Sequence, residues 1–162
     1  MRRRIWQPSV ASAMGGQAAE EGVVRKTVLQ MWAGANDQVE ILPPAELVNE
    51  LESGRVLLLD VRLPQEIERS GRIDGAVAVP RQVLEWWADP DSPYFRPDGV
   101  FGDFDQRIVT FCDGGGNGAF SAVALQELGY RNVATLEAGF YGWVGAGGPP
   151  ILPVIDRLGV GS

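Results

Sequence analysis

Apolar and polar positions change rhythm at Val39. From there on, short apolar runs alternate with stretches of helical periodicity. Val39–Leu42, Val56–Val61, Ala76–Val79, Ile108–Phe111 and Val133–Leu136 read as strands. The run Val56-Leu57-Leu58-Leu59-Asp60-Val61 is nearly continuous in apolar residues, the mark of a strand covered on both faces. Between the strands, residues 44–52, 64–70, 81–88, 119–128 and 140–146 read as helices. Pro44 and Pro64 suit a first helical turn, and Gly54 suits a stop. Apolar residues at 119, 122, 123, 125 and 128 make one helical stripe. Residues 89–105, rich in Pro, Asp and Gly, read as a loop. Upstream, residues 20–34 form a candidate helix with Val24, Val28, Met31 and Trp32 on one side, and residues 1–19 read as an arm. Strands separated by helices predict an α/β fold: a central, mostly parallel five-stranded sheet with helices on both faces. The organisation expected is an N-terminal arm over 1–36, disordered to partly helical, one domain over 37–153 and a tail over 154–162.

Composition narrows the chemistry. A chain of 162 residues suits one domain with short extensions, and 45% apolar residues are enough for a core of its own. No window approaches the ~18 uninterrupted apolar residues of a membrane helix, so no membrane span is expected. Residues 1–36 carry five basic and two acidic side chains, while the whole chain is at −7, so the body is strongly acidic and no nucleic-acid partner is expected. Ile5-Trp6-Gln7-Pro8-Ser9 interrupts the apolar stretch that a secretion signal needs, which favours the cytoplasm. The single cysteine excludes an internal disulfide framework and a Cys-rich zinc site. The absence of histidine excludes a Ser-His-Asp triad, a Cys-His dyad and His-ligated metal. No metal and no organic cofactor are expected.

The cysteine lies where such folds place their sites. Cys112 follows the strand Ile108–Phe111 at its carboxyl end, just before a helix. The connection runs Cys112-Asp113-Gly114-Gly115-Gly116-Asn117-Gly118. Its glycines leave backbone N–H groups uncovered, so the loop can curl into an anion-binding nest at a helix N-terminus. A thiolate there gains hydrogen bonds and the helix dipole, and so would a persulfide on the same sulfur. The plain alternative is a small buried hydrophobe beside a flexible turn.

Here the chain resembles a known family. Residues 112–130, CDGGGNGAFSAVALQELGY, are similar to the active-site loop and following helix of rhodanese-like domains. Asp60-Val61-Arg62-Leu63-Pro64-Gln65-Glu66 resembles the family's D-V-R-x-P-x-E element, and Gly71-Arg72-Ile73-Asp74-Gly75-Ala76 its G-H-I-x-G-A element. Leu136–Trp143 with Gly147-Gly148-Pro149 resembles the closing segment. The resemblance spans about Val39 to Pro153. It implies a single rhodanese-like domain and a sulfurtransferase. Cys112 would take a sulfane sulfur from a small donor, thiosulfate or a persulfide, and pass it to a thiol or cyanide. Asp113, Gly114, Gly115, Gly116, Asn117 and Gly118 would form the substrate loop.

The chain also departs from the family pattern. The loop there usually ends in Arg and Ser, where this chain has Asn117 and Gly118. Asp113 sets a negative charge beside the thiolate, and Arg72 replaces the usual His. Asn117 and Asp113 disfavour thiosulfate and support an alternative, a binding or sensing module with weak or no turnover, while the Arg72 change reads as structural. A Cys-based phosphatase is a third class, opposed by Asn117 at the place of the anion-binding Arg. Asp60 and Arg62 are candidates for support behind the loop, with Arg62 and Glu66 expected to pair locally. Trp86, Trp87 and Tyr94 are candidates for the substrate entrance, or else packing.

Overall fold

The computed structural model describes residues 24–152 except 97 and 99. The expected arm over 1–19, residues 20–23 of the first candidate helix and the tail over 154–162 lie outside the described residues.

Five strands form one sheet: β1 (Glu40–Leu42), β2 (Val56–Asp60), β3 (Val77–Ala78), β4 (Arg107–Phe111) and β5 (Val133–Leu136). Their order is β1-β5-β4-β2-β3, and every pairing is parallel. The helices are α1 (Val28–Asn36), α2 (Pro44–Ser53), α3 (Pro64–Ser70), α4 (Leu84–Ala88), α5 (Gly116–Glu127) and α6 (Gly139–Gly145). The α/β expectation therefore holds.

Alternation along the central strands sorts the core into two layers. Leu57, Leu59, Val61 and Ile108 pack with Leu84, Ala122 and Leu125 of α4 and α5. Leu58, Val109 and Phe111 pack with Leu47, Phe140 and Trp143 of α2 and α6. Side chains two apart on a strand share a face. Ile108 and Cys112 accordingly belong to the same layer, so the cysteine is set on the α5 side of the sheet.

Local chemistry fixes the ends of the helices. Gly54 ends α2 in the left-handed region at φ 67°. The Glu66 carboxylate accepts from the Leu63 N–H at 2.8 Å and caps α3. The first helix starts later than expected. Thr27 Oγ1 accepts from the Gln30 N–H at 3.2 Å, and Gln30 Oε1 accepts from the Thr27 N–H at 2.8 Å. This reciprocal cap starts α1 at Val28 and leaves Val24 outside it. Residues 28–36, expected in the arm, form α1 and pack against α5. Two further helices differ from expectation. Residues 81–83 form a turn before α4, and α5 begins at Gly116 rather than Ala119.

At the opposite edge from Cys112, Arg107 joins three elements. Its guanidinium donates to Glu40 at 2.7 and 2.8 Å and to Glu50 at 2.7 and 2.9 Å. Hydrogen bonding to Arg107 holds the Glu40 carboxyl below its ordinary range. A carboxyl lowered in the folded state contributes stability that is complete above the unfolded value and is lost as pH falls through the folded one. Arg107→Gln is expected to cost about 1 kcal/mol at neutral pH, since Glu40 is half exposed. Urea denaturation should show that gap narrowing as pH drops below the carboxylate range.

Candidate active site

Cys112 directly follows β4, the central strand, and its neighbours come from the carboxyl ends of β2 and β5. Asp60 stands opposite Phe111 in the β2–β4 register, and the Val61 N–H donates to the Phe111 carbonyl at 2.9 Å. The segments after β2 and β4 therefore leave the sheet side by side. From β5 the chain turns through Ala138 into α6. The Phe140 and Tyr141 N–H groups donate to the carbonyls of Cys112 and Asp113 at 2.8 and 3.0 Å. Gly139 permits this approach: its φ is +57°, and a Cβ there would run into the Cys112 carbonyl oxygen.

The cysteine is 7% exposed and lines a cavity of about 270 Å³. Its Sγ accepts from the Gly115 N–H at 3.1 Å. Gly115 has φ +105° and precedes the first residue of α5, so the sulfur lies in a turn at the N-terminus of a twelve-residue helix. Asp113, Gly114, Gly116 and Asn117 line the cavity with Cys112. Val28, Glu66 and Phe120 line it too, and none of these was a sequence candidate for the site. Phe120 stands three residues after Asn117 on α5, a spacing that puts both on one helical side. Val28 comes from α1, before the span of the family resemblance.

Three loop candidates differ from expectation. Gly116, Asn117 and Gly118 belong to the first turn of α5, not to a loop. Gly118 is buried against the sheet and is not among the cavity residues. A Cβ there would lie 2.8 Å from Thr135 Oγ1 and 3.2 Å from the Phe111 Cα, so packing requires the glycine. Its carbonyl accepts from Thr110 Oγ1 at 2.7 Å.

Arg62 is the support behind the loop. Its side chain is 0% exposed. Nε and Nη2 donate to the two oxygens of Asp60 at 2.9 and 2.6 Å. Nη1 donates to Ser70 Oγ at 2.9 Å and to Asp113 Oδ1 at 3.2 Å, and Nη2 also reaches the Gly71 carbonyl at 2.9 Å. All five guanidinium N–H donors are thereby committed. The Phe140 ring lies 4.3 Å from Cζ. Burial pulls the Arg62 pKa down, but the hydrogen bonds and charges of Asp60 and then Asp113 outweigh it, and the net shift is upward. One expectation is corrected here. Arg62 pairs with Asp60 and Asp113, while Glu66 caps α3. Asp113, the acidic residue next to Cys112, is thus paired with Arg62.

The aromatic candidates stand together, apart from the sulfur cavity. Trp86 is 55% exposed and shares a depression of about 710 Å³ with Asn117, Arg81 and Glu85. Trp87 packs on the core and carries Arg96 over its ring at 4.8 Å. Tyr94, 65% exposed, meets Trp86 edge-on at 5.8 Å. None of the three lines the Cys112 cavity, and all three line one depression of about 340 Å³ beside α4. Among the described residues, no group of three or more His, Cys, Asp and Glu is arranged to hold a metal ion, and no helix is long and apolar enough to cross a membrane.

Removing the guanidinium would strand a buried carboxylate. Arg62→Met is expected to cost about 3–5 kcal/mol in urea unfolding. Asp113→Asn should cost about 1 kcal/mol or less, because Asp113 is partly exposed and an amide oxygen still accepts.

Comparison with known proteins agrees with this architecture. The family model described as rhodanese-like domain matches residues 43–146. The chain is 31% identical over 99 residues to the tRNA sulfurtransferase of Vibrio cholerae, covering 60% of this chain and 18% of that protein. It is 33% identical over 108 residues to the tRNA sulfurtransferase of Aliivibrio salmonicida, covering 65% and 20%. The chain thus spans a fifth or less of the length of these curated relatives. Among solved structures it is similar to a protein of unknown function from Rhodopseudomonas palustris, described as a possible tyrosine phosphatase. There the TM-score is 0.72 and the identity 37%, covering 80% of this chain and 97% of the other. A human single-domain sulfurtransferase aligns with a TM-score of 0.59 and 25% identity, covering 66% and 96%. With the family model matching most of the chain, and with the sheet and cysteine turn placed as described, the chain belongs to the rhodanese-like domain family.

Proposed function

We propose that this chain is a sulfurtransferase that carries a sulfane sulfur on Cys112. The observation that carries the reading is the sulfur at the mouth of the α5 turn, accepting from the Gly115 N–H at 3.1 Å. An N–H aimed at sulfur, with a helix N-terminus behind it, stabilises the thiolate that attacks and the persulfide anion that follows. Relatives named as sulfurtransferases support a sulfur-transfer role at the level of the family.

In the loading step the Cys112 thiolate attacks the outer sulfur of R–S–SH. A new S–S bond forms on Cys112, the old S–S bond breaks, and R–S⁻ leaves with the electron pair. In the second step an acceptor thiolate, or cyanide, attacks that outer sulfur and Cys112 leaves as thiolate. No net oxidation occurs, and neither step needs a metal or an organic cofactor. A thiol that cycles in this way suits a reducing compartment, so a cytoplasmic setting accompanies the reading.

The charges around the cavity favour a donor without negative charge next to its sulfur. Asp113 and Glu66 line the cavity, and the donors of Arg62 are already committed. Asn117 supplies a neutral amide where the family resemblance has a forked cation. A persulfide therefore suits the site better than thiosulfate, whose charge sits beside the transferred sulfur. The same argument disfavours a phosphate ester, which needs a cation at the cradle. A binding role without turnover is the second reading, and the observation favouring it is again Asn117.

Cys112→Ser should abolish sulfur transfer to cyanide from every donor; wild-type rates in that variant would remove Cys112 from the mechanism. Asn117→Arg should raise thiosulfate turnover about 10–100-fold, the worth of one charge-assisted hydrogen bond. An unchanged rate would mean that charge at this position is not what limits thiosulfate.

A further inference from the structure

We propose that α1 is the specificity wall of this site, and that it selects organic persulfides or thiols whose carboxylate lies several bonds away from the sulfur. The inference rests on the sulfur-transfer reading of Cys112 and adds the substrate class.

Three depressions meet at Asn117. The Cys112 cavity contains Val28, Asn117 and Phe120 in its wall. A groove of about 1010 Å³ between α1 and α5 shares Asn117 and Phe120 with it. The depression beside Trp86 shares Asn117 as well. A molecule with its sulfur at Cys112 thus continues past Asn117 and Phe120 into the α1–α5 groove. There Met31, Val24 and Phe120 offer apolar surface to a carbon skeleton.

The charges differ between the two ends. Around the sulfur cavity stand Asp113, Glu66 and Arg62, the last with all its donors already committed. In the outer groove stand Arg25 and Lys26. Among the described residues neither forms an ion pair, whereas Arg81 in the same groove is held by Glu85 at 2.6 Å. Glu127 lines the groove ten residues along α5 from Asn117, about 15 Å away at the helical rise. Arg25 and Lys26 precede Val28 by three residues and two, so even extended backbone keeps them within about 11 Å of a residue that lines the Cys112 cavity. A cation with donors to spare, absent beside the sulfur, is present one molecule-length outward. An inorganic dianion cannot use it, but an organic persulfide with a remote carboxylate can.

The test compares two donors that differ in the charge of their tails, glutathione persulfide and cysteamine persulfide. With Arg25→Glu/Lys26→Glu, KM for glutathione persulfide should rise about 10-fold, with kcat within about twofold of wild type. KM for cysteamine persulfide should stay level or fall. An equal change for both donors, or no change for either, overturns the proposal. A second measurement needs no transferable sulfur. S-methylglutathione should shift the amide NMR signals of Lys26, Val28 and Phe120, and the charge-reversed variant should lose those shifts at the same ligand concentration. Sulfur loading on Cys112 without such shifts would overturn the role of α1 and leave sulfur transfer standing. Shifts without loading from any donor would sink the sulfur-transfer reading, and the proposed selection with it.

Discussion

A buried guanidinium organises the functional end of this molecule. Arg62 ties Asp60 at the end of β2, Ser70 and Gly71 at the end of α3, and Asp113 in the cysteine turn, while its face lies on Phe140 of α6. Burying a charge costs several kcal/mol, and the cost is recovered only when every donor finds a partner in good geometry. Here all five do. Removing any one partner would leave part of that cost uncovered, so the positions of four chain segments are coupled through one side chain. Cys112 lies at the centre of those segments, between Phe111 and Asp113.

The same saturation shapes the chemistry. A cation that has spent its donors on Asp60, Ser70, Gly71 and Asp113 has none left for a substrate. The cavity is therefore furnished with backbone N–H groups and carboxylates rather than free cations. Backbone donors at a helix N-terminus serve a sulfur anion, whose charge is single and diffuse. A phosphate or thiosulfate dianion asks for more, and Asn117 cannot give it. Support and specificity are thus linked: the residue that holds the turn in place also determines which anions the turn can hold.

Much of this was legible in the chain. Runs of apolar residues located all five strands, and the strand–helix alternation implied a parallel sheet. Counting by twos from Ile108 puts Cys112 on the α5 face, and its position after β4 puts it at the carboxyl edge. What escaped was set by contacts that one-dimensional patterns do not carry. Arg62 and Asp113 are 51 residues apart, so a local partner such as Glu66 looked sufficient. α5 begins three residues before Ala119, where the apolar stripe starts; glycines are poor helix formers and hide the first turn, and Gly118 is there because no Cβ fits between α5 and the sheet. The start of α1 was legible in principle, since Thr27 and Gln30 form a capping box by sequence, yet the apolar stripe drew the helix too far upstream. Val28 and Phe120 carry no chemical signal at all; they enter the cavity through packing alone. Trp86, Trp87 and Tyr94 share one depression and none lines the sulfur cavity; only Trp86 also reaches the depression that contains Asn117.

The central claim is that Cys112 holds a transferable sulfur, and intact mass spectrometry tests it directly. The folded protein would be incubated with glutathione persulfide, and separately with thiosulfate, then desalted and weighed. The account predicts a gain of one sulfur atom from the persulfide and less from thiosulfate, removed by cyanide and absent in Cys112→Ser. No gain from either donor, in folded protein whose thiol still titrates, would contradict it and leave a binding module built on an enzyme's fold.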